Sequence, residues 1–299
     1  MEYLQDFIYF FSFKDTSLNI VIFGTLFLGI ASGLVGVLTV LSHRALIVDA
    51  ISHSILPGVC LGFIFSGTKN PVYLIIGGLL SGFLSVLAIN YISQKSKIKT
   101  DSAIAIVLSV FFSFGVLLLN FIQNSDNHNQ TGLSDFLFGK ASALLSKDVL
   151  VYLYVLLIVL SIIGLTFRSL KIYLFDKTFA STIGLPINFL QSILTFCIIL
   201  ITAIGVQTVG VVLMSALLVS PATSALLWQN KLQLVLLWAA IFSSISTLLG
   251  VVISFIFPFF PTGPSIVIVL SVIAFLSIIL SKKKFFKKKN NKGYSFYQN

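Results

Sequence analysis

The sequence predicts an all-α, polytopic membrane protein of about nine transmembrane helices, with eight to ten compatible with the pattern. Three observations carry this expectation. Of the 299 residues 57% are hydrophobic and 9% charged, with a mean hydropathy of +1.06, whereas soluble domains are about 45–50% apolar and about 25% charged. Apolar runs of about 20 residues, each able to cross a ~30 Å hydrocarbon core as a helix, recur nearly end to end. Lys and Arg gather in every second connection. Together these leave no room for a soluble catalytic domain.

The chain starts MEYLQDFIYFFSFKD, which lacks the basic stretch and cleavage pattern of a signal peptide. It reads as an interfacial segment, with Lys14 and Asp15 marking the step into the first span. Spans are expected at 18–41, 45–65, 71–93, 102–122, 149–167, 188–206, 209–228, 232–256 and 264–281, making one transmembrane domain over 1–281 followed by a basic tail over 282–299. The first three contain GxxxG pairs, Gly29 with Gly33, Gly58 with Gly62 and Gly78 with Gly82, which let helices approach closely in lipid. Lys95, Lys97 and Lys99 follow the third span, Arg168, Lys171 and Lys177 the fifth, Lys231 the seventh, and the tail the ninth. By the positive-inside rule these connections face the cytoplasm. The stretch 123–147 and the Pro-rich FPFFPTGP at 257–264 then face outward, with the N-terminus outside and the C-terminus inside.

The formal charge of +10 is not a nucleic-acid signal, because seven of the lysines lie in the tail at 282–292, leaving 12 basic residues against 9 acidic ones elsewhere. The excess belongs at a lipid surface. Cys60 and Cys197 both sit in apolar runs and read as packing residues. The Asn129-Gln130-Thr131 sequon falls in an expected external connection and matters only in a eukaryotic secretory setting. The FGKAS at 138–142 fails the phosphate-loop spacing, since Gly132 is seven positions before Gly139 and Ala141 stands where Ser or Thr is needed. No nucleotide site is expected in this chain.

The informative segment is LSHRALIVDAISHSILPGVCLG, 41–62. Asp49 and His53 are four apart, so on a helix a carboxylate and an imidazole share one face, one turn apart. An ionised Asp inside a span is costly and marks a functional position. Oxygen plus imidazole nitrogen suits Mn, Fe or Zn. Ser52 and Ser54 add hydroxyls nearby, and Pro57 frees a backbone carbonyl. Two other readings stay open from the residues alone: a hydrogen bond satisfying two buried groups, and a proton relay. His43, beside Arg44 at a cytoplasmic junction, and His128, in the external connection, read as solvated.

The run GLVGVLTVLSHRALIVDAISHSILPGVCLGF, 33–63, resembles the signature of the permease subunit of bacterial ABC importers for manganese, zinc and iron, the ABC-3 family. In that family a Gly-rich span leads through an Arg-containing turn into an Asp-Ala-x-Ser-His-x-x-x-Pro-Gly helix, which Asp49, His53, Pro57 and Gly58 match. DSAIAIVLSVFFSFG at 101–115, FLFG at 136–139 and QTVGVVLMSALLVSPATSALL at 207–227 are similar to later family blocks, in order. Ser42-His43-Arg44 departs from the consecutive basic residues often found there. The resemblance implies a type II ABC importer permease fold in a bacterial cytoplasmic membrane, pairing with a second permease chain, itself or a paralogue, around a central pathway. It implies an extracytoplasmic metal-binding lipoprotein that delivers the ion and a cytoplasmic ATP-binding subunit that hydrolyses ATP, so that this chain is not an enzyme and holds no tight cofactor. It also implies that Asp49 and His53 form a metal site in the pathway.

The connection at 168–188 contains an apolar stripe, Phe175, Phe179 and Ile183, closed by Gly184 and Pro186. Such a stripe in a cytoplasmic connection wants either a protein partner or the lipid headgroups. Asp176, Ala180 and Gly184 fit the family's loose D-x-x-x-A-x-x-x-G coupling pattern, which with Phe179 and Ile183 implies docking on the ATPase. Later, Gln207, Ser220 and Thr223 flank Pro221 in otherwise apolar sequence. Two readings are open: hydroxyls repairing a Pro-broken helix, or a second pathway wall opposite the Asp49 helix, lined with Ser52 and Pro57. Three function classes compete. They are an ATP-driven divalent-metal importer permease, a proton-coupled secondary metal transporter with Asp49 and His53 as relay, and an intramembrane enzyme, for which no dense ligand set such as HExxH is present. The donor types leave Mn, Zn and Fe open. One Asp and one His are too few for tight capture, so two chains facing each other are expected to supply up to four ligands.

Overall fold

The computed structural model describes residues 15–67, 71–124, 139, 144–257 and 260–292, with backbone alone at 71, 207, 212 and 282–292. The segment ending at Lys14, the sequon, His128, most of the 123–147 connection, 136–138 of the FLFG block, all of FGKAS but Gly139, and the tail beyond Lys292 lie outside the described residues. Among the described residues the regular structure is helical: α1 (Thr16–Leu41), α2 (Ala45–Ser66), α3 (Pro71–Lys95), α4 (Thr100–Gln123), α5 (Ser146–Phe175), α6 (Lys177–Thr182), α7 (Ile187–Val209), α8 (Val211–Trp228), α9 (Leu232–Ile256) and α10 (Thr262–Lys292). Eight are long and apolar enough to span a membrane, and α8 contains a shorter apolar helix. Each expected span coincides with one helix.

The break between α7 and α8 is a reversal rather than a kink. In a continuous helix residues 205 and 214 would stand about 13 Å apart. Here a Cβ on Gly205 would touch the Met214 side chain, so α8 folds back on α7. Gly210 makes the turn at φ 94° and ψ 158°, a conformation essentially restricted to glycine.

Two helices run further than hydropathy suggests. α5 continues through Arg168 and Lys171 to Phe175, burying Leu170 and Tyr173 on the way. α10 continues into the Lys-rich tail as far as Lys292. Charge ends a hydropathic run but not a helix, because Lys and Arg are good helix formers; α5 stops only where Asp176 turns extended.

The most enclosed spans are α1, α2 and α7, whereas α3, α4 and α5 turn one side outward. α1 packs on α9, α8, α5 and α7, and α2 on α3, α4, α8 and α7. Gly29 and Gly33 face Thr247 and Ala239 of α9, and Gly82 and Gly78 face Ile199 and Ala203 of α7. These contacts make α1 antiparallel to α9 and α3 antiparallel to α7. One end of the bundle therefore gathers Arg44, Lys95, Lys171, Lys177 and Lys231.

The α2–α3 hairpin depends on backbone contact, since a Cβ on Gly58 would meet the Gly77 carbonyl and one on Gly77 the Gly58 carbonyl. Ser81 Oγ adds a hydrogen bond to the Ser54 carbonyl at 2.5 Å. Gly58→Leu is expected to destabilise the protein by about 1–3 kcal/mol through overpacking. Thermal unfolding of detergent-purified protein reads this as a lowered Tm, and an unchanged Tm would contradict the packing described.

Candidate functional site

The candidate site lies on α2, in a helix that the sequence starts abruptly. His43, at φ 57°, and Arg44 make a tight turn out of α1. Arg44 Nη1 donates to Thr195 Oγ1 of α7 at 3.1 Å, tying the start of α2 to its neighbour. Further along α2, His53 Nε2 stands 3.7 Å from Oδ1 of Asp49, one turn before it. That is too long for a hydrogen bond. Two donors each about 2.1 Å from one ion stand about 3.4 Å apart at a tetrahedral angle, so a small rotamer adjustment suits a shared ion.

The two side chains differ in access: His53 is 15% exposed and Asp49 44%. The imidazole is held edge-on against Phe112 of α4, with ring centroids 4.8 Å apart and planes at 85°. Its Nδ1 is buried without a hydrogen-bond partner. Pro57 has no N–H to return to the His53 carbonyl, which places a backbone oxygen without its helical partner at the same residue. Among the described residues no group of three or more His, Cys, Asp or Glu side chains is placed to hold a metal. Among the described residues of one chain the candidate donors are therefore this pair, with Asp49 the more exposed of the two.

The remaining pathway candidates fall in different places. Ser52 is buried in the protomer, its hydroxyl donating to the Val48 carbonyl at 2.8 Å. Pro57 lines an apolar cavity of about 500 Å³ with Gly58, Tyr73 and Phe114. The Gln207 side chain lies outside the described residues. Thr223 is exposed on α8, and Ser220 is half-buried; the Ser220 carbonyl accepts from Thr223 Oγ1 at 2.9 Å and Ser224 Oγ at 2.8 Å. The helix carbonyl that Pro221 leaves free belongs to Leu217, so these hydroxyls do not repair it. Phe112 escaped the sequence reading because nothing in residue spacing says which helix faces His53. Thr195 escaped it for the same reason.

The connection expected to couple folds into a compact unit. Asp176 closes α5 and caps α6, its Oδ1 accepting from Phe179 N–H at 2.9 Å and Thr178 Oγ1 at 2.6 Å. At the other end Gly184, at φ 77°, donates to the Ser181 carbonyl while Leu185 donates to Ala180, the paired bonds of a Schellman motif. Ala180 is fully buried. The D-x-x-x-A-x-x-x-G spacing is thus a cap, an inward small residue and a left-handed stop. Phe175, Phe179 and Ile183 remain exposed, an apolar patch beside Lys177.

The Phe179 amide and then the Thr178 hydroxyl hold the Asp176 carboxyl below the ordinary carboxylate range. A depressed folded-state pKa adds stability above the unfolded value and loses it as pH falls through the folded one. The cap of α6 therefore persists through mild acidification.

Residues 14–281 match the model of the ABC 3 transport family. The chain is 40% identical over 272 residues to the zinc transport system membrane protein TroC of Treponema pallidum, covering 91% of each. It is 38% identical to the manganese transport system membrane protein MntC of Bacillus subtilis, over 88% of this chain and 61% of that one. Among solved structures it is similar to PsaBC from Streptococcus pneumoniae in complex with Fab, with a TM-score of 0.80 and 31% identity over 88% of this chain and 91% of that one.

Proposed function

The chain belongs to the ABC 3 transport family as the membrane permease subunit of an ABC importer of manganese or zinc, and we propose that it passes the ion through a site made by Asp49 and His53. The observation that supports this reading most is the one-turn pairing of a half-exposed carboxylate with a ring held edge-on by Phe112. Iron fits the same donors. The alternative of a proton-coupled secondary transporter gives way to an ATP-driven one with the family.

Two chains face each other, so that paired Asp49 and His53 residues supply up to four ligands. The second chain is a copy or a paralogue. An extracytoplasmic metal-binding lipoprotein delivers the ion at one end, and a cytoplasmic ATP-binding subunit docks at the basic end, which places the N-terminus outside and the C-terminus in the cytoplasm. The exposed Phe175, Phe179 and Ile183 patch seats in that subunit, while buried Ala180 and the two caps bind α6 to α5 and α7. α7 packs on α2 and holds Arg44 through Thr195. ATPase closure thus rocks α7 against α2 and separates the facing ligand pairs, releasing an ion that they hold only while closed.

The test is accumulation of radioactive Mn or Zn in proteoliposomes containing the assembled transporter. ATP inside with binding protein outside is expected to drive uptake. Uptake driven instead by a proton gradient without ATP would overturn the reading. Because an imidazole must be neutral to ligate, uptake should also fall as pH drops from about 8 to about 5. A pH-independent rate would remove His53 from the ion.

A further inference from the structure

Between α3 and α7, at the end of the bundle that carries Arg44, lies a crevice of about 740 Å³. Its lining is segregated along the helices. Leu79, Phe83, Leu87, Phe196 and Ile199 form an apolar stretch, with Phe83, Leu87 and Phe196 exposed at its mouth. Arg44, Asn90, Gln94, Asn188 and Gln191 close the other end. The antiparallel packing of α3 on α7 brings the polar residues of both helices to the same level. From Leu79 to Asn90 a helix rises about 16 Å, about half the ~30 Å hydrocarbon core and so the depth of one leaflet.

We propose that this crevice holds one anionic glycerophospholipid, its phosphate on Arg44 and an acyl chain along Leu79, Phe83 and Leu87. Arg44 is the sole charged side chain of the lining, so the pocket carries one net positive charge. One guanidinium nitrogen is engaged by Thr195, which aims the group and leaves further donors for an anion. Among the described residues no carboxylate pairs with it, the single ion-pair contact being His53 with Asp49. A smaller adjoining cavity shares Arg44 and contains His43 and Asp101, but Asp101 does not line the crevice. A partly buried cation without a counter-charge, above an apolar slot one leaflet deep, fits a lipid with a net negative headgroup better than a zwitterionic one.

Native mass spectrometry of the detergent-purified chain tests this with dioleoylphosphatidylglycerol, dioleoylphosphatidylcholine and free glycerol phosphate as probes. Phosphatidylglycerol should be retained about tenfold better than phosphatidylcholine, because both present a phosphate to Arg44 but the choline cation of the second offsets its charge. Arg44→Gln should erase that preference. Leu87→Trp, which narrows the slot, should lower retention of both lipids, whereas Leu84→Trp, on the neighbouring apolar cavity, should not. If Arg44→Gln does not fold, the Leu87→Trp and Leu84→Trp pair decides. Equal retention of the two lipids, glycerol phosphate binding as well as the whole lipid, or a second protein chain in the slot that lipid does not displace would each overturn the assignment.

Discussion

Asp49→Asn and His53→Ala are each expected to abolish uptake of radioactive Mn and Zn while leaving the protein folded. Loss of a neighbour that merely orients a metal ligand costs about 10–100-fold, and loss of a ligand costs more. The fold tolerates both changes. Asp49 is half-exposed, and its contact with His53 is too long to be a hydrogen bond. His53→Ala uncovers part of the Phe112 ring but strands no partner, since the imidazole Nδ1 has none. Size-exclusion profile and Tm should match the parent protein. Wild-type uptake by either variant would remove that residue from the ion's path, and loss of uptake together with loss of fold would contradict the tolerance of the fold to these changes.

Phe179→Asp is expected to separate the permease from its ATPase. Phe179 is 52% exposed on a six-residue helix whose inward side is filled by Ala180, so the substitution changes what α6 presents rather than whether it forms. A carboxylate buried in an apolar docking groove loses its hydration without a partner, which costs several kcal/mol. Co-purification of the two subunits should therefore fall at least tenfold, and the ATP hydrolysis that remains should no longer respond to metal-loaded binding protein. Normal subunit ratio with normal coupled turnover would place the contact elsewhere.

The spans were legible because lipid imposes one demand on every residue of a crossing segment, and even α8 showed as an apolar run after Val209. Helix ends were less so. Arg168 and Lys171 read as a connection, yet α5 passes through them, because charge and helicity answer to different physics. On α2 the pairing of Asp49 with His53 follows from local helical period, which a sequence displays directly. Phe112 against His53 and Thr195 on Arg44 join residues distant in the chain, and no local spacing encodes which helices meet. The orientation of Ser52 is similar: one residue from His53, it points into the core and satisfies itself on Val48. In the 168–188 connection the stripe of Phe175, Phe179 and Ile183 was visible as periodicity, whereas the capping roles of Asp176 and Gly184 needed their hydrogen bonds.

The ion is expected to cross at Asp49 and His53, shared between two facing chains. Anomalous diffraction at the manganese edge, from crystals of the assembled transporter grown with Mn, locates the crossing point. A peak is expected between the two chains, about 2.0–2.3 Å from an Asp49 carboxylate oxygen and a His53 ring nitrogen. A manganese peak elsewhere in the membrane region, with the two Asp49 side chains far apart and both residues unliganded, would contradict the shared site.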